Sequence, residues 1–235
     1  MISNASALVR IAALVVIVAT VAACSDNEPE QRKAFIAFLQ TRVIDRQGVR
    51  IPRLTDEETK SVGPYASHYK VITDFTGDPA LTAMSKAMSD SLASINNLQA
   101  VIDKRDALRK AGPEMDGLMQ TMNDSYARTK AARDALKQPD DLKPVYDKAF
   151  DKTVTAPVNA FREAAPVTRG IIDATVKVAD YAASHTDTVK IVGGRLQATN
   201  AKTQSELVAL VNALTSQTAQ FNEAQRKLRV ILTGN

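Results

Sequence analysis

The chain has 235 residues, 45% of them apolar and only 5% aromatic, with no tryptophan and a single cysteine. Its 30 Lys and Arg stand against 26 Asp and Glu, a net charge of +4, which is a mixed surface without the clustered excess of a nucleic-acid binder. One cysteine excludes an internal disulfide, and an alanine-rich, aromatic-poor composition predicts helices, because small and unbranched side chains lose little entropy there.

Residues 1–10 (MISNASALVR) are polar with one positive charge, Arg10, and residues 11–20 (IAALVVIVAT) form an unbroken apolar block. The block is too short to span a bilayer comfortably and suits the apolar part of a secretion signal. Val21-Ala22-Ala23-Cys24 follows and resembles the lipobox of bacterial lipoproteins, an aliphatic residue and two small ones before an obligatory cysteine. That resemblance implies cleavage between Ala23 and Cys24, a diacylglyceryl group on the Cys24 thiol, and acylation of the new amino group. By the sorting rule usual for such lipoproteins, Ser25 in place of Asp favours the periplasmic face of the outer membrane over the inner membrane. The expected organisation is a signal peptide over 1–23, a short tether over 24–30 and one helical domain over 31–235.

The first helix is predicted to start near Pro29, with Phe35, Phe38, Leu39 and Val43 as its apolar stripe, and to stop around Gln47-Gly48. Residues 50–54 read as extended, since Pro52 restricts Ile51. Thr55–Glu58 (TDEE) is a capping box, and Gly63-Pro64 opens a helix through Tyr65, Tyr69, Ile72 and Phe75. Asp78-Pro79 starts another, carrying Leu81, Met84, Met88, Leu92, Ile95 and Leu98. Residues 100–137 are charged and helix-prone, with a break expected at Gly112-Pro113 and a partly exposed hairpin arm as the result. Asp140-Asp141 reads as a cap for a short helix over 142–152, and residues 155–185 as a longer one kinked or divided by Pro166. Strict alternation around Gly193-Gly194 predicts a β-hairpin at about 188–198. Thr203–Glu206 reads as a second capping box, opening a last helix with a seam of Leu207, Val211, Leu214, Thr218, Phe221, Gln225, Leu228 and Leu232. The fold class is mostly α: an antiparallel helical bundle with one small β-hairpin.

Several runs together resemble the YiaF-like family of bacterial lipoproteins, whose function is unknown. They are Gln31-Arg32-Lys33-Ala34-Phe35-Ile36 with Phe38-Leu39-Gln40, then Leu136 to Asp147 (LKQPDDLKPVYD), then Thr155-Ala156-Pro157 and the Gly-Gly hairpin. The resemblance implies a lipoprotein with a helical domain and brings no catalytic residues.

Catalytic, cofactor and metal sites are not nominated by the sequence. His68 and His185 stand without the neighbours that zinc spacings require. Ser67-His68 and Ser184-His185 lack a nucleophile elbow, and Val192-Gly193-Gly194-Arg195 lacks the lysine spacing of a phosphate loop. One charged stretch stands out. Arg32, Lys33, Arg42, Arg46, Arg50 and Arg53 lie close to the anchor with Asp45 as the only acid among them, a candidate patch for anionic headgroups. The leading functional expectation is a non-enzymatic, lipid-anchored periplasmic module that binds an envelope protein partner or helps to organise the envelope. The runner-up is a small-ligand carrier with a pocket of Met84, Met88, Tyr65, Tyr69 and Phe75, and the third is an enzyme acting on cell-wall or lipid material.

Overall fold

The computed structural model describes residues 27–93 and 98–235, and the side chains among them other than those of 91–93 and 98. Ala23, Cys24 and the rest of the stretch expected to be a signal peptide lie outside the described residues, as do the side chains of Leu92, Ile95 and Leu98.

Pro29 occupies the first turn of helix α1 (Glu28–Phe38), where its missing N–H would have had no partner. The helix therefore begins inside the stretch expected as a tether. It widens into a π-helical turn at Leu39–Ile44, which keeps Phe35, Phe38, Leu39 and Val43 all buried. Gly48, at φ +65°, then reverses the chain. The TDEE box forms as expected on α2 (Asp56–Val62): the Thr55 hydroxyl accepts the Glu58 amide at 3.1 Å, and Glu58 accepts the Thr55 amide at 2.9 Å. A 3₁₀ turn, Gly63–Tyr65, leads into α3 (Ala66–Thr76).

Asp78 caps α4 (Pro79–Ala93) by accepting the Ala80 amide at 2.8 Å. Its other oxygen accepts the Ser125 hydroxyl and so ties α4 to a helix further along. Helix α5 covers Leu98–Asp103 and α6 covers Arg105–Asp134. The break expected at Gly112-Pro113 is absent, and α6 runs through Pro113. Losing one backbone hydrogen bond there is outweighed because α6 packs on both sides. Leu108, Met115 and Met122 are buried in the common core, and Arg169 lies across Gly112, where a Cβ would fall 2.6 Å from its Nε. The expected exposed arm is instead a central helix.

A second expectation also gives way. Helix α7 (Lys143–Phe150), a π-helical turn (Asp151–Thr155) and α8 (Ala156–Ser184) follow one another with helical dihedrals at each junction. They form one helical run, and Pro166 does not divide it. At about 1.5 Å per residue this run is roughly 60 Å long. Helix α8 is the most deeply packed element. Ala160, Ala164, Ala165, Ala179 and Ala182 are buried along it, small enough to let its neighbours approach closely.

The hairpin forms in the expected register: β1 (Val189–Val192) pairs antiparallel with β2 (Arg195–Ala198), and Val192 lies opposite Arg195. Helix α9 (Ala201–Thr233) returns along α8. Its cap is Asn200, whose carboxamide accepts the Thr203 amide at 2.9 Å, and no Thr203–Glu206 box forms. Glu206 accepts the Tyr181 hydroxyl at 2.7 Å instead. The buried line on α9 runs through Thr203, Leu207 and Phe221, while Val211, expected on the seam, is 39% exposed.

Pairs between helices define the architecture. Arg109 meets Asp180, Arg162 meets Asn123, and Arg133 meets Asp147, so α6 runs antiparallel to the α7–α8 run. Tyr181 meets Glu206, and Gly170 faces Gln217, so α9 is antiparallel to α8. The result is an elongated bundle. At its base lie α1–α3, α7 and most of the aromatics, with Phe35 stacked on Tyr65 at 5.7 Å and Phe38 edge-on to Tyr69 at 5.0 Å. At the opposite end stands the hairpin, with Ile191 and Val192 39% and 50% exposed.

Candidate functional site

The six basic residues singled out by the sequence all fall at the base, but the structure divides them. Arg32 is tied down between Glu28 at 3.5 Å and Asp141 at 3.3 Å. Asp141 is thus an ion-pair partner, and the expected Asp140–Asp141 cap does not form: Leu142 precedes α7 with no side-chain cap. Lys33 is exposed and does not line the groove that Arg42 borders. The charges of this segment therefore do not share one face.

Arg42, Arg46 and Arg50 do come together. With Gln47, Val49, Ile51 and Pro52 they line a shallow groove of about 550 Å³ beside the end of the first helical segment. Arg42 donates to Glu58 at 2.6 Å and lies over the Phe38 ring, 5.9 Å from its centre. The Thr55 amide of the capping box, with Arg42 beside it, holds the Glu58 carboxyl below its usual range. Arg46 donates its Nε to the Thr41 carbonyl at 3.0 Å. Among the described residues neither Arg46 nor Arg50 has a carboxylate partner. Lys152 reaches over from the π-helical turn after α7 and donates to the carbonyls of Ile44, at 2.8 Å, and Arg46. It thereby satisfies the helix end and adds positive charge there. Arg53 is exposed and does not line the groove.

The base is otherwise a satisfied core. The Tyr65 hydroxyl donates to Glu28, and burial together with that carboxylate pushes its pKa up to about 12. Tyr69 donates to the Pro52 carbonyl at 2.7 Å, and Tyr146 to the His68 carbonyl at 2.8 Å. Among the described residues no buried side-chain polar atom lacks a partner. Met84, Met88, Tyr65, Tyr69 and Phe75, the residues weighed as a carrier pocket, are buried within one continuous core cluster.

The two Ser–His neighbours do not form reactive pairs. Ser67 donates to the Pro64 carbonyl at 2.7 Å. Ser184 donates its hydroxyl to the Tyr181 carbonyl at 3.1 Å, and His185 Nδ1 lies 2.9 Å from that same carbonyl. A groove between α6, α8 and α9 holds Arg105, Asp106, Arg109 and Asp180. Its carboxylates are committed to guanidinium groups, with Arg109 gripping both oxygens of Asp180 at 2.8 and 2.9 Å. Among the described residues no group of three His, Cys, Asp or Glu could hold a metal ion, and no helix is long and apolar enough to cross a membrane.

Curated relatives share most of this chain. The uncharacterized protein YiaF of Escherichia coli K12 is 34% identical over 216 residues, 91% of each chain. The uncharacterized protein YiaF of Shigella flexneri matches to the same extent. No solved structure matches. A family model described as protein of unknown function, DUF3053, matches residues 11–229. With so much of its length matched, from within the apolar N-terminal block to near the end of α9, the chain belongs to the YiaF-like family of unknown function, DUF3053.

Proposed function

We propose that this protein is a lipid-anchored module of the bacterial envelope that works by contact with a partner and not by catalysis. The observation that carries the reading is Val21-Ala22-Ala23-Cys24, the only cysteine of the chain, at the end of an apolar block. A thiol acylated there would be protected from oxidation in a compartment that oxidises free thiols. Two or three acyl chains hold a protein stably at a bilayer, where one chain holds it only marginally. Helix α1 begins at Glu28, so the anchor would be a leash of only a few residues. Support for a contact role comes from the opposite end, where the hairpin presents Ile191 and Val192 to solvent. The carboxylates of the α6–α8–α9 groove, all paired, give no free acid or base.

The test is metabolic labelling with a radioactive fatty acid and membrane fractionation of wild type and Cys24→Ala. Label and outer-membrane sedimentation are expected for wild type and lost in the variant. A Cys24→Ala protein that is still labelled and still sediments with the outer membrane sinks the proposal. Crosslinking in intact cells then names the protein partner.

A further inference from the structure

We infer that the groove lined by Arg42, Arg46 and Arg50 is a binding site for a phosphate group, either of a lipid headgroup or free in solution. The inference rests on the envelope reading only for the lipid source; the groove itself stands on its own geometry. Three arginines from one short stretch of chain line the same concavity. Arg42 lies on the π-helical turn and Arg46 just past its end, and the turn at Gly48 brings Arg50 back beside them. Guanidinium groups present planar forks that match phosphate oxygens, and bonds to an ionised oxygen are stronger than neutral ones.

Helix-end compensation alone does not account for this arrangement. The carbonyls of Ile44 and Arg46 at the end of the segment are already bonded by Lys152. Arg42 has Glu58, yet Arg46 and Arg50 are left with no carboxylate among the described residues. The neighbourhood therefore keeps an excess of positive charge. Its wall of Val49, Ile51 and Pro52 gives the ester side of a phosphate an apolar surface. An inorganic anion would use only the forks.

The experiment uses the full chain purified in neutral detergent and follows the arginine Nε–H resonances by NMR. Inorganic phosphate is titrated in one arm. Phosphatidylglycerol in mixed micelles is titrated in the other, with diacylglycerol at the same mole fraction as the blank. Saturable shifts of the Arg42, Arg46 and Arg50 signals are expected in at least one phosphate arm and absent in the blank. Which arm saturates at the lower concentration identifies the source. Arg46→Gln with Arg50→Gln is expected to weaken binding by about tenfold or more, through loss of two charge-assisted donors. Lys33→Gln with Arg53→Gln removes equal charge away from the groove and is expected to change affinity by less than about twofold. Equal weakening by the two double variants, or no saturable shift in either arm, overturns the inference. Because the titration reads the groove whether or not Cys24 carries lipid, its failure is distinct from failure of the anchor.

Discussion

The amide of Val49 donates to the carbonyl of Leu232 at 3.0 Å, joining the turn after the first helical segment to the end of the last helix. Gly48 makes the approach possible. It sits at φ +65°, and a Cβ there would fall 2.5 Å from the carbonyl carbon of Thr233. Gly48→Ala therefore meets both a left-handed backbone and a backbone clash, and it should cost about 2 kcal/mol or more, lowering Tm by roughly 4–8 °C. Gly77 is the control: its φ is −83° and a Cβ would make only ordinary contact, at 3.4 Å, with the Thr73 carbonyl. Gly77→Ala should leave Tm unchanged or raise it slightly. Thermal denaturation of the two variants side by side checks the pair.

Arg133 and Asp147 join the end of α6 to α7. The guanidinium donates from two nitrogens to one carboxylate oxygen, at 2.7 and 3.1 Å, and lies 5.0 Å from the centre of the Phe150 ring. Burial works to raise the Asp147 pKa, but Lys143 and Arg133 outweigh it and hold the carboxyl below its usual range. Both partners are half-buried and oriented by packing, so a double-mutant cycle to alanine should give a coupling of about 1 kcal/mol. The exposed Lys70–Asp74 pair on α3 should give only about 0.3–0.5 kcal/mol. A coupling at Arg133–Asp147 no larger than at Lys70–Asp74 would contradict this.

Much of this architecture was legible in local chemistry. The TDEE box, Asp78-Pro79 and the paired glycines each fix a backbone conformation through their own atoms, and each formed where expected. What the sequence hid was decided by packing. Gly112-Pro113 has every local mark of a break, but α6 is held between neighbours and continues through it. The actual discontinuity, at Lys104, carries no proline or glycine. The π-helical turn at Asp151–Thr155, which buries Thr153 and Val154, likewise carries no local mark in the sequence. Among the six basic residues, spacing showed that charge accumulates near α1. Which three share a groove depended on the turn at Gly48 and on carboxylates contributed from distant parts of the chain.

His68 should make the base sensitive to pH. Its ring is edge-on to Tyr65 at 5.2 Å and lies 3.4 Å from the Gln138 amide nitrogen, and burial lowers its pKa from the ordinary 6.5. A histidine held neutral in the folded state binds its proton more readily when unfolded. Its contribution is thus fully present above pH 6.5 and is lost as pH falls below 6.5 through the folded value. Urea unfolding at pH 7.5 and pH 5.5 should show lower stability in acid, and His68→Gln should flatten that difference. An unchanged pH dependence in the variant would assign the acid sensitivity elsewhere.

Asn200 caps α9 through the Thr203 amide, while the Thr203 side chain is buried and Glu206 reaches α8. Asn200→Ala should therefore cost about 1 kcal/mol. Glu206→Gln, which keeps an acceptor for the Tyr181 hydroxyl, should cost less than about 0.5 kcal/mol. A true Thr203–Glu206 box would give the reverse order, so chemical denaturation of the two variants separates the assignments.

Gly193 and Gly194 have φ of +57° and +75°, and nothing lies within 4 Å of a Cβ built on either. Any penalty for a side chain there is purely one of backbone conformation, with no clash to confuse it. Both central residues at positive φ define a type I′ turn, whose twist suits a two-residue hairpin and in which asparagine is well tolerated at the first position. Gly193→Asn should therefore leave the hairpin intact, whereas Gly193→Val, with a branched side chain in the left-handed region, should open it. The change should stay local, since only Val189 of β1 is buried and the α8–α9 contact does not pass through the turn. Amide exchange over residues 189–198 should accelerate in Gly193→Val, with the Tm of the bundle shifting by less than about 2 °C. A comparable loss of protection along α8 and α9 would show that the hairpin helps to hold these two helices in register.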